Sequence, residues 1–229
     1  MTIKNGIVKK IIFGIIGTII LFILVTIVSI IIVFKNAPII SKGQPIENYS
    51  EHNSALLVVD IQEIITGDVS IFPCYEENSE NLIRNINQVI ESFNKLNYPV
   101  IYIRSEITNP FVNLINSTYA KGSLGVKYDK RLKIVSNLEV VKKGKDSFRN
   151  SNLDNILIGN KINELYIIGL DAAECVNATI EAAQNRRYNV NIIEEAVMSK
   201  SRKMMDSMMV SFRDRGVRVI QIDGLTIMK

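Results

Sequence analysis

Three residues of this 229-residue chain have the types and positions of a nucleophilic site. Asp60 ends the apolar run ALLVVD, Lys142 follows the run LEVV, and Cys175 ends the segment GLDAAEC. A cysteine attacks a carbonyl carbon as its thiolate, a nearby ammonium lowers the pKa of the thiol, and a carboxylate within reach can accept its proton. Together these residue types indicate a cysteine nucleophile with a general base and a supporting cation.

Each of these residues also has an ordinary structural interpretation. A carboxylate at a strand end is often a cap or an ion-pair partner, a lysine is usually solvated, and a lone cysteine often fills space in a core. The lysine is also ambiguous, because Lys143 and Lys145 lie close to Lys142. The functional interpretation therefore depends on the fold bringing the three residues together.

Short apolar runs alternate with helical patterns along most of the chain. The runs predict strands at 55–60, 99–104, 138–142, 165–169, 189–194 and 217–222, separated mostly by helices at 78–96, 153–159, 174–187 and 200–215. This alternation predicts an α/β fold, a three-layer sandwich with a six-stranded, mostly parallel, doubly wound sheet. In such sheets ligands bind outside the carboxyl ends of the strands, where Asp60 and Lys142 would lie.

The first 35 residues differ from the rest in charge and hydropathy. They contain four lysines and no acid, so the excess of 27 basic over 23 acidic residues lies in this segment alone. The remaining residues are neutral overall, which removes the electrostatic basis for nucleic-acid binding. Two cysteines and one histidine also exclude a disulfide framework and a histidine-rich metal site.

Residues 11–34 contain no charged side chain and are long enough to cross a bilayer as one helix. A cleaved signal peptide is the alternative, but signal sequences have apolar regions of only about 7–15 residues. We therefore expect a single-pass membrane protein with a basic flank at 1–10, a transmembrane helix at 11–34, a tether at 35–54 and a domain at 55–229. The lysines before the span favour a cytoplasmic N-terminus and an extracytoplasmic domain.

Three separated blocks resemble one family, the isochorismatase-like cysteine hydrolases. The blocks are ALLVVDIQ at 55–62, VVKKGKDSFRNSNLDNIL at 140–157 and YIIGLDAAECVNATIEAA at 166–183. The resemblance implies that Asp60 is the general base, Cys175 the nucleophile and Lys142, six residues before Phe148, the catalytic lysine.

The resemblance also implies features around these three residues. It suggests a cis peptide at Leu170–Asp171, with the backbone amides of Asp171 and Cys175 forming an oxyanion hole. We expect Gln62 and Phe148 to contact the substrate. Phe72, Phe111 and Tyr119 lie in predicted loops near the strand ends and are candidates to line the pocket.

The implied reaction is hydrolysis of a small amide or related C–N bond through a thioester on Cys175. Nicotinamidases of the family bind a metal through an Asp and two histidines after the general base, whereas Ile61 to Tyr75 contains no histidine. We therefore expect no metal and no cofactor. True isochorismatases lack the cysteine, so Cys175 argues against that reaction too. The expected partners are a small-molecule substrate, the membrane through 11–34 and, as in other members, further copies of the chain.

Two acids beside the cysteine support a different hypothesis. Asp171 and Glu174 would raise the pKa of the Cys175 thiol unless they point to solvent or recognise a cationic substrate. The chain also has no Trp, and Ile64–Ile65 stands where the family usually has a Phe. The alternative is therefore a catalytically weak domain that serves binding or assembly at the membrane.

Overall fold

A computed structural model describes residues 2–47 and 49–225 of the chain. The strands are β1 (Ser54–Val59), β2 (Val100–Ser105), β3 (Glu139–Lys142), β4 (Glu164–Leu170), β5 (Asn189–Met198) and β6 (Arg218–Ile220). The helices are α1 (Thr2–Asn36), α2 (Pro73–Glu76), α3 (Ser79–Lys95), α4 (Pro110–Ile115), α5 (Leu153–Gly159), α6 (Cys175–Asn185) and α7 (Arg202–Asp214), followed by a 3-10 turn at Ile222–Leu225. Met1, Asn48 and 226–229, which belong to the predicted flank, tether and domain, lie outside the described residues.

The six strands of the described chain form one parallel sheet in the order β3-β2-β1-β4-β5-β6. The chain runs outward from β1 to β3, returns to place β4 beside β1, and then runs outward to β6. The predicted doubly wound α/β sheet is therefore confirmed. The order reverses between β1 and β4, and a crevice forms at such a switch point outside the carboxyl ends of the strands.

Buried apolar side chains explain the central position of β1 and β4. All six residues of β1 and all seven of β4 are buried, as is typical of parallel strands covered on both faces. Helix α3 is amphipathic and buries Leu82, Ile86, Val89 and Phe93 against the sheet. These contacts hold the carboxyl ends of the central strands in fixed positions.

Strand β5 is longer than its predicted range of 189–194. It continues to Met198 after a register shift. Ile192 pairs with Ile167, so Glu194 would pair with Gly169 if the register continued, but Val197 takes that place. The polar pair Glu194 and Glu195 interrupts the apolar run in the sequence, which is why the prediction stopped there.

Helix α1 is apolar on all sides, and its exit is attached to the domain. Among the described residues one helix, Gly6–Asn36, is long and apolar enough to cross a membrane, with a mean hydropathy of 3.2. The segment after it is hydrogen-bonded to the domain: the Lys145 amide donates to the Ala37 carbonyl at 3.0 Å, and the Ser41 amide donates to Asp146 Oδ2 at 2.7 Å. The end of α1 therefore has a defined position relative to the sheet.

Gly169 provides a direct test of how β1 and β4 meet. Its φ is +115°, and a Cβ atom there would lie 2.1 Å from the Val59 carbonyl oxygen. We expect Gly169→Ala to lower the free energy of unfolding by at least about 2 kcal/mol, because both the backbone conformation and the contact become strained. Thermal unfolding of the full chain would show a fall in Tm of about 4–8 °C.

The matched control is Gly159→Ala at the end of α5, where an added Cβ meets no atom within 4 Å. This variant should be as stable as the original or slightly more stable, because alanine is the better helix former. Equal Tm values for the two variants would contradict the tight approach of β1 and β4.

Candidate active site

The three predicted side chains meet at the carboxyl end of the sheet. Asp60 follows β1, Lys142 is the last residue of β3, and Cys175 is the first residue of α6, which follows β4. Lys142 Nζ lies 2.7 Å from Asp60 Oδ2 and 3.2 Å from Cys175 Sγ. The strand order explains the convergence, since β1 and β4 are neighbours and the long lysine side chain reaches past β2.

Ser105, the last residue of β2, connects the lysine to the carboxylate. Its hydroxyl donates to Asp60 Oδ1 at 3.0 Å and accepts from Lys142 Nζ at 2.7 Å. The lysine also donates to the Gly144 carbonyl at 3.1 Å. Sequence reasoning missed Ser105 because the predicted strand ended one residue earlier, although the rule of inspecting strand ends would have found it.

Burial controls the protonation of the site. It raises the pKa of the Cys175 thiol to about 12; the Lys142 charge acts against this rise, and the Asp60 charge adds to it. Burial alone would lower the pKa of Lys142, but the adjacent Asp60 carboxylate and Cys175 reverse that effect and raise it above the usual range. Both effects favour the protonated forms of Lys142 and of the Cys175 thiol.

The backbone before Cys175 leaves two amides available. The peptide between Leu170 and Asp171 is cis, as the resemblance implied. Within the part of the chain that the structure describes, neither the Asp171 amide nor the Cys175 amide donates to a protein acceptor. Helix α6 begins at Cys175, so its positive end also lies beside the sulfur. This arrangement can stabilise a negatively charged oxygen next to the cysteine.

Both acids beside the cysteine have partners. Asp171 accepts from the Tyr75 hydroxyl at 2.9 Å and from the Ala173 amide at 2.7 Å. Glu174 forms ion pairs with Lys145 and Lys200. Burial raises the pKa of Glu174, but the hydrogen bond and charge of Lys145 outweigh it and hold the pKa below its usual value. The charge of Glu174 is therefore compensated by two lysines, whereas Asp171 is hydrogen-bonded to neutral donors.

A cavity of about 490 Å³ opens above the triad of Asp60, Lys142 and Cys175. Its walls are mostly apolar and include Phe72 and Tyr119, two of the aromatic residues that the sequence placed near the strand ends. Phe111 instead packs its ring against Phe22 of α1, with 5.8 Å between the ring centroids. The end of α1 completes the wall.

Two predicted substrate contacts need correction. Gln62 is fully buried: its amide nitrogen donates to the Ser105 and Val126 carbonyls, and its oxygen accepts from the Ser105 amide. Phe148 is buried under the Arg186 guanidinium, which lies 4.4 Å from its ring centroid. Neither side chain lines the cavity. Gln62 holds the end of β2, and Phe148 belongs to the core.

The three neighbouring lysines differ in burial and in their contacts. Lys142 has an exposed fraction of 0% and points into the site, whereas Lys143 is exposed. Lys145 is engaged with Glu174 at the rim of the cavity. Only Lys142, of these three, contacts both Asp60 and Cys175.

The carboxylates of the segment after β1 are bound by protein groups. Glu63 accepts hydrogen bonds from the Asp68 and Lys130 amides, and Asp68 pairs with the Lys130 ammonium. Across 2–47 and 49–225, no group of three or more His, Cys, Asp or Glu side chains could hold a metal ion. The carboxylates near the site therefore already have protein partners.

Comparisons with known proteins identify a family model and solved structures that are similar to this domain. Residues 54–224 match the model of the isochorismatase domain. N-carbamoylsarcosine amidase from Thermoplasma acidophilum is 26% identical, with a TM-score of 0.65 over 76% of this chain and 99% of that chain. The zinc complex of pyrazinamidase from Pyrococcus horikoshii is 19% identical, with a TM-score of 0.63 over 74% of this chain and 99% of that chain, and shows a shared fold.

Among curated proteins, the uncharacterized isochorismatase family protein YrdC of Bacillus subtilis is 24% identical over 64% of this chain and 74% of its own length. The secreted isochorismatase effector Isc1 of Verticillium dahliae is 25% identical over 68% of this chain and 77% of its own length. With a family match over most of its length and the α/β sheet described above, the chain belongs to the isochorismatase family of hydrolases.

Proposed function

We propose that the protein is a membrane-anchored cysteine hydrolase that cleaves an amide or a related C–N bond of a small molecule. The observation that carries this proposal is the convergence of Asp60 and Lys142 on the Cys175 sulfur at the base of a cavity. The likeness to an amidase that covers 99% of that protein's chain supports the choice of a C–N bond.

Acylation begins from the neutral thiol. Asp60 accepts the thiol proton as Cys175 attacks the carbonyl carbon, so a free thiolate need not accumulate. The Lys142 ammonium, 3.2 Å from the sulfur, stabilises the developing charge, and the Asp171 and Cys175 amides bind the oxyanion. The C–N bond then breaks, and Asp60 returns the proton to the leaving nitrogen, giving a thioester and a free amine or ammonia.

Deacylation uses the same groups in reverse. Asp60 accepts a proton from water, the resulting hydroxide attacks the thioester, and the sulfur leaves to take back the proton. The products are a carboxylic acid and the original thiol, so one water is consumed for each C–N bond cleaved. No step passes through a metal.

The alternative function, a catalytically weak domain for binding or assembly, rested on the acids beside Cys175. The pairing of Glu174 with Lys145 and Lys200, and of Asp171 with Tyr75, supports the hydrolase over this alternative. In the alternative, Cys175→Ala would leave ligand or partner binding and the cellular phenotype unchanged.

In Asp60→Asn, the pKa of the Cys175 thiol and the turnover rate should both fall, for different reasons. Removing the carboxylate removes a charge that raises the Cys175 pKa, so this pKa should fall. Turnover should nevertheless fall by about 10²–10⁴-fold, because the general base is lost. The pH dependence of Cys175 alkylation, followed by mass spectrometry, measures the pKa.

The matched control is Asp68→Asn, which removes an exposed carboxylate paired with Lys130. It should change neither the alkylation profile nor turnover. An unchanged or higher Cys175 pKa in Asp60→Asn would contradict the electrostatic role given to Asp60.

The lysine assignment is tested by comparing Lys142→Met with Lys143→Met. Loss of the buried ammonium should reduce turnover of small amides by at least about 10²-fold, as expected when a charge-stabilising donor is removed. The exposed Lys143 should be dispensable to within about threefold, because exposed charges contribute little. The readouts are amide turnover and the mass of an acyl adduct on Cys175, with Tm measured to confirm folding.

Cys175→Ala should abolish both turnover and the adduct. Turnover that survives in Cys175→Ala, or an equal loss in the two lysine variants, would count against the mechanism.

The membrane part of the proposal rests on α1. Residues 11–34 of this helix carry no charge and are long enough to cross a bilayer, and most of their side chains are exposed. Lys4, Lys9 and Lys10 precede the span, which favours a cytoplasmic N-terminus and an extracytoplasmic domain. A signal sequence is the alternative, and it predicts cleavage after the helix and a shorter mature chain.

Intact mass after expression distinguishes an anchor from a cleaved signal. An anchored chain should keep its mass of 25.8 kDa and stay with the membrane after alkaline washing. Cys74 is exposed and should react with a membrane-impermeant maleimide in sealed cells if the domain is outside, and Cys74→Ser is the control. A shortened, soluble product would refute the anchor, and labelling only after lysis would reverse the orientation.

A further inference from the structure

The wall of the active-site cavity continues onto the apolar helix α1. Val33 and Phe34 from the last turns of α1, and Ala37 just after it, line the same cavity as Cys175. Val33 and Phe34 belong to the segment that we propose lies in lipid, and Ala37 follows it directly. The apolar wall therefore runs from the cysteine to the membrane-facing helix.

The position of α1 beside the cavity is fixed by the segment that carries the lysine. The Lys145 amide donates to the Ala37 carbonyl at 3.0 Å, and Arg149 donates to the Asn36 carbonyl. Lys145 is only three residues from Lys142 in the sequence. The end of α1 is thus held next to Lys142, and a long tether does not separate the helix from the site.

The cavity itself suits an apolar group better than a small polar molecule. Above the triad its walls include Ile65, Ile107, Val112 and Leu170. The charged Glu174 at the rim is neutralised by its lysine partners, as described above. A volume of about 490 Å³ is in the range of pockets that enclose drug-sized ligands.

Helix α4 extends this apolar surface along α1. It has no buried residue, and Leu114 and Ile115 have exposed fractions of 69% and 65%. Its Phe111 ring contacts Phe22 of α1. Exposed apolar side chains grouped beside a membrane helix are typical of a lipid-contacting surface.

We infer that the substrate is an amide with a long aliphatic acyl chain, and that it reaches Cys175 from the lipid along the wall formed by the end of α1 and by α4. The scissile carbonyl lies at the oxyanion amides, and the chain lies against Phe34 and Val112. This inference rests on the proposed function, since it names the substrate class of the same site.

The experiment uses the full chain in lipid nanodiscs and a series of acyl p-nitroanilides from acetyl to dodecanoyl. Turnover and the acyl adduct on Cys175 are measured together. Each methylene group that moves from water to an apolar wall can contribute a factor of about four, so kcat/KM should rise at least about tenfold along the series.

Matched variants separate binding in the cavity from simple partitioning into lipid. Phe34 and Phe13 both lie on α1 and both have an exposed fraction of 72%, but only Phe34 lines the cavity. Phe34→Ser should remove most of the preference for long chains, whereas Phe13→Ser should leave the preference unchanged.

The outcomes distinguish this inference from the proposed function. Turnover of the acetyl compound with no gain for longer chains would overturn the inference and leave the hydrolase standing. A preference unaffected by Phe34→Ser would overturn the route along α1. Absence of any adduct on Cys175 with every member of the series would overturn both.

Discussion

The buried ion pair between Lys142 and Asp60 is the interaction on which the site depends. Removing an ammonium from water costs several kcal/mol unless the charge is paired and its protons have acceptors. Lys142 is fully buried and meets this requirement through Asp60, Ser105 and the Gly144 carbonyl. Because these partners come from the ends of β1 and β2 and from the loop after β3, the ion pair requires the parallel register of three adjacent strands.

The same pair determines the chemistry available to Cys175. The Asp60 charge and burial favour the neutral thiol, while the Lys142 charge favours the thiolate, so the two partners act in opposite directions on one proton. A nucleophile balanced in this way is activated when its proton moves to Asp60, as in the proposed mechanism. The lysine partners of Glu174 keep a further negative charge from disturbing this balance.

Much of this arrangement could be predicted from the sequence, because it follows from local patterns. Apolar runs gave the six strands and their class, and the residue types at strand ends, together with a family resemblance, gave Asp60, Lys142 and Cys175. The polar residues beyond the triad were harder. The sequence predicts that Gln62 contacts the substrate, whereas its side chain is buried and bonded to backbone carbonyls. A glutamine after a strand looks the same in the sequence whether it binds the backbone or a ligand.

Contacts between distant segments could not be predicted. The pairing of Glu174 with Lys145 and Lys200 joins three loops, and the seating of Ala37 beside Lys145 makes the end of α1 part of the cavity. A hydropathy pattern shows that 11–34 is apolar, but it does not show where the following residues dock. These features depend on tertiary packing rather than on local composition.

The central claim is that Asp60 and Lys142 act on Cys175 as one unit, and a double-mutant cycle on kcat/KM for a hydrolysed amide tests it most directly. If the claim is right, the Asp60→Asn/Lys142→Met double variant should lose no more activity than the more impaired single variant, because residues that work together lose their function together. Losses that multiply, as for two independent contributions, would contradict it.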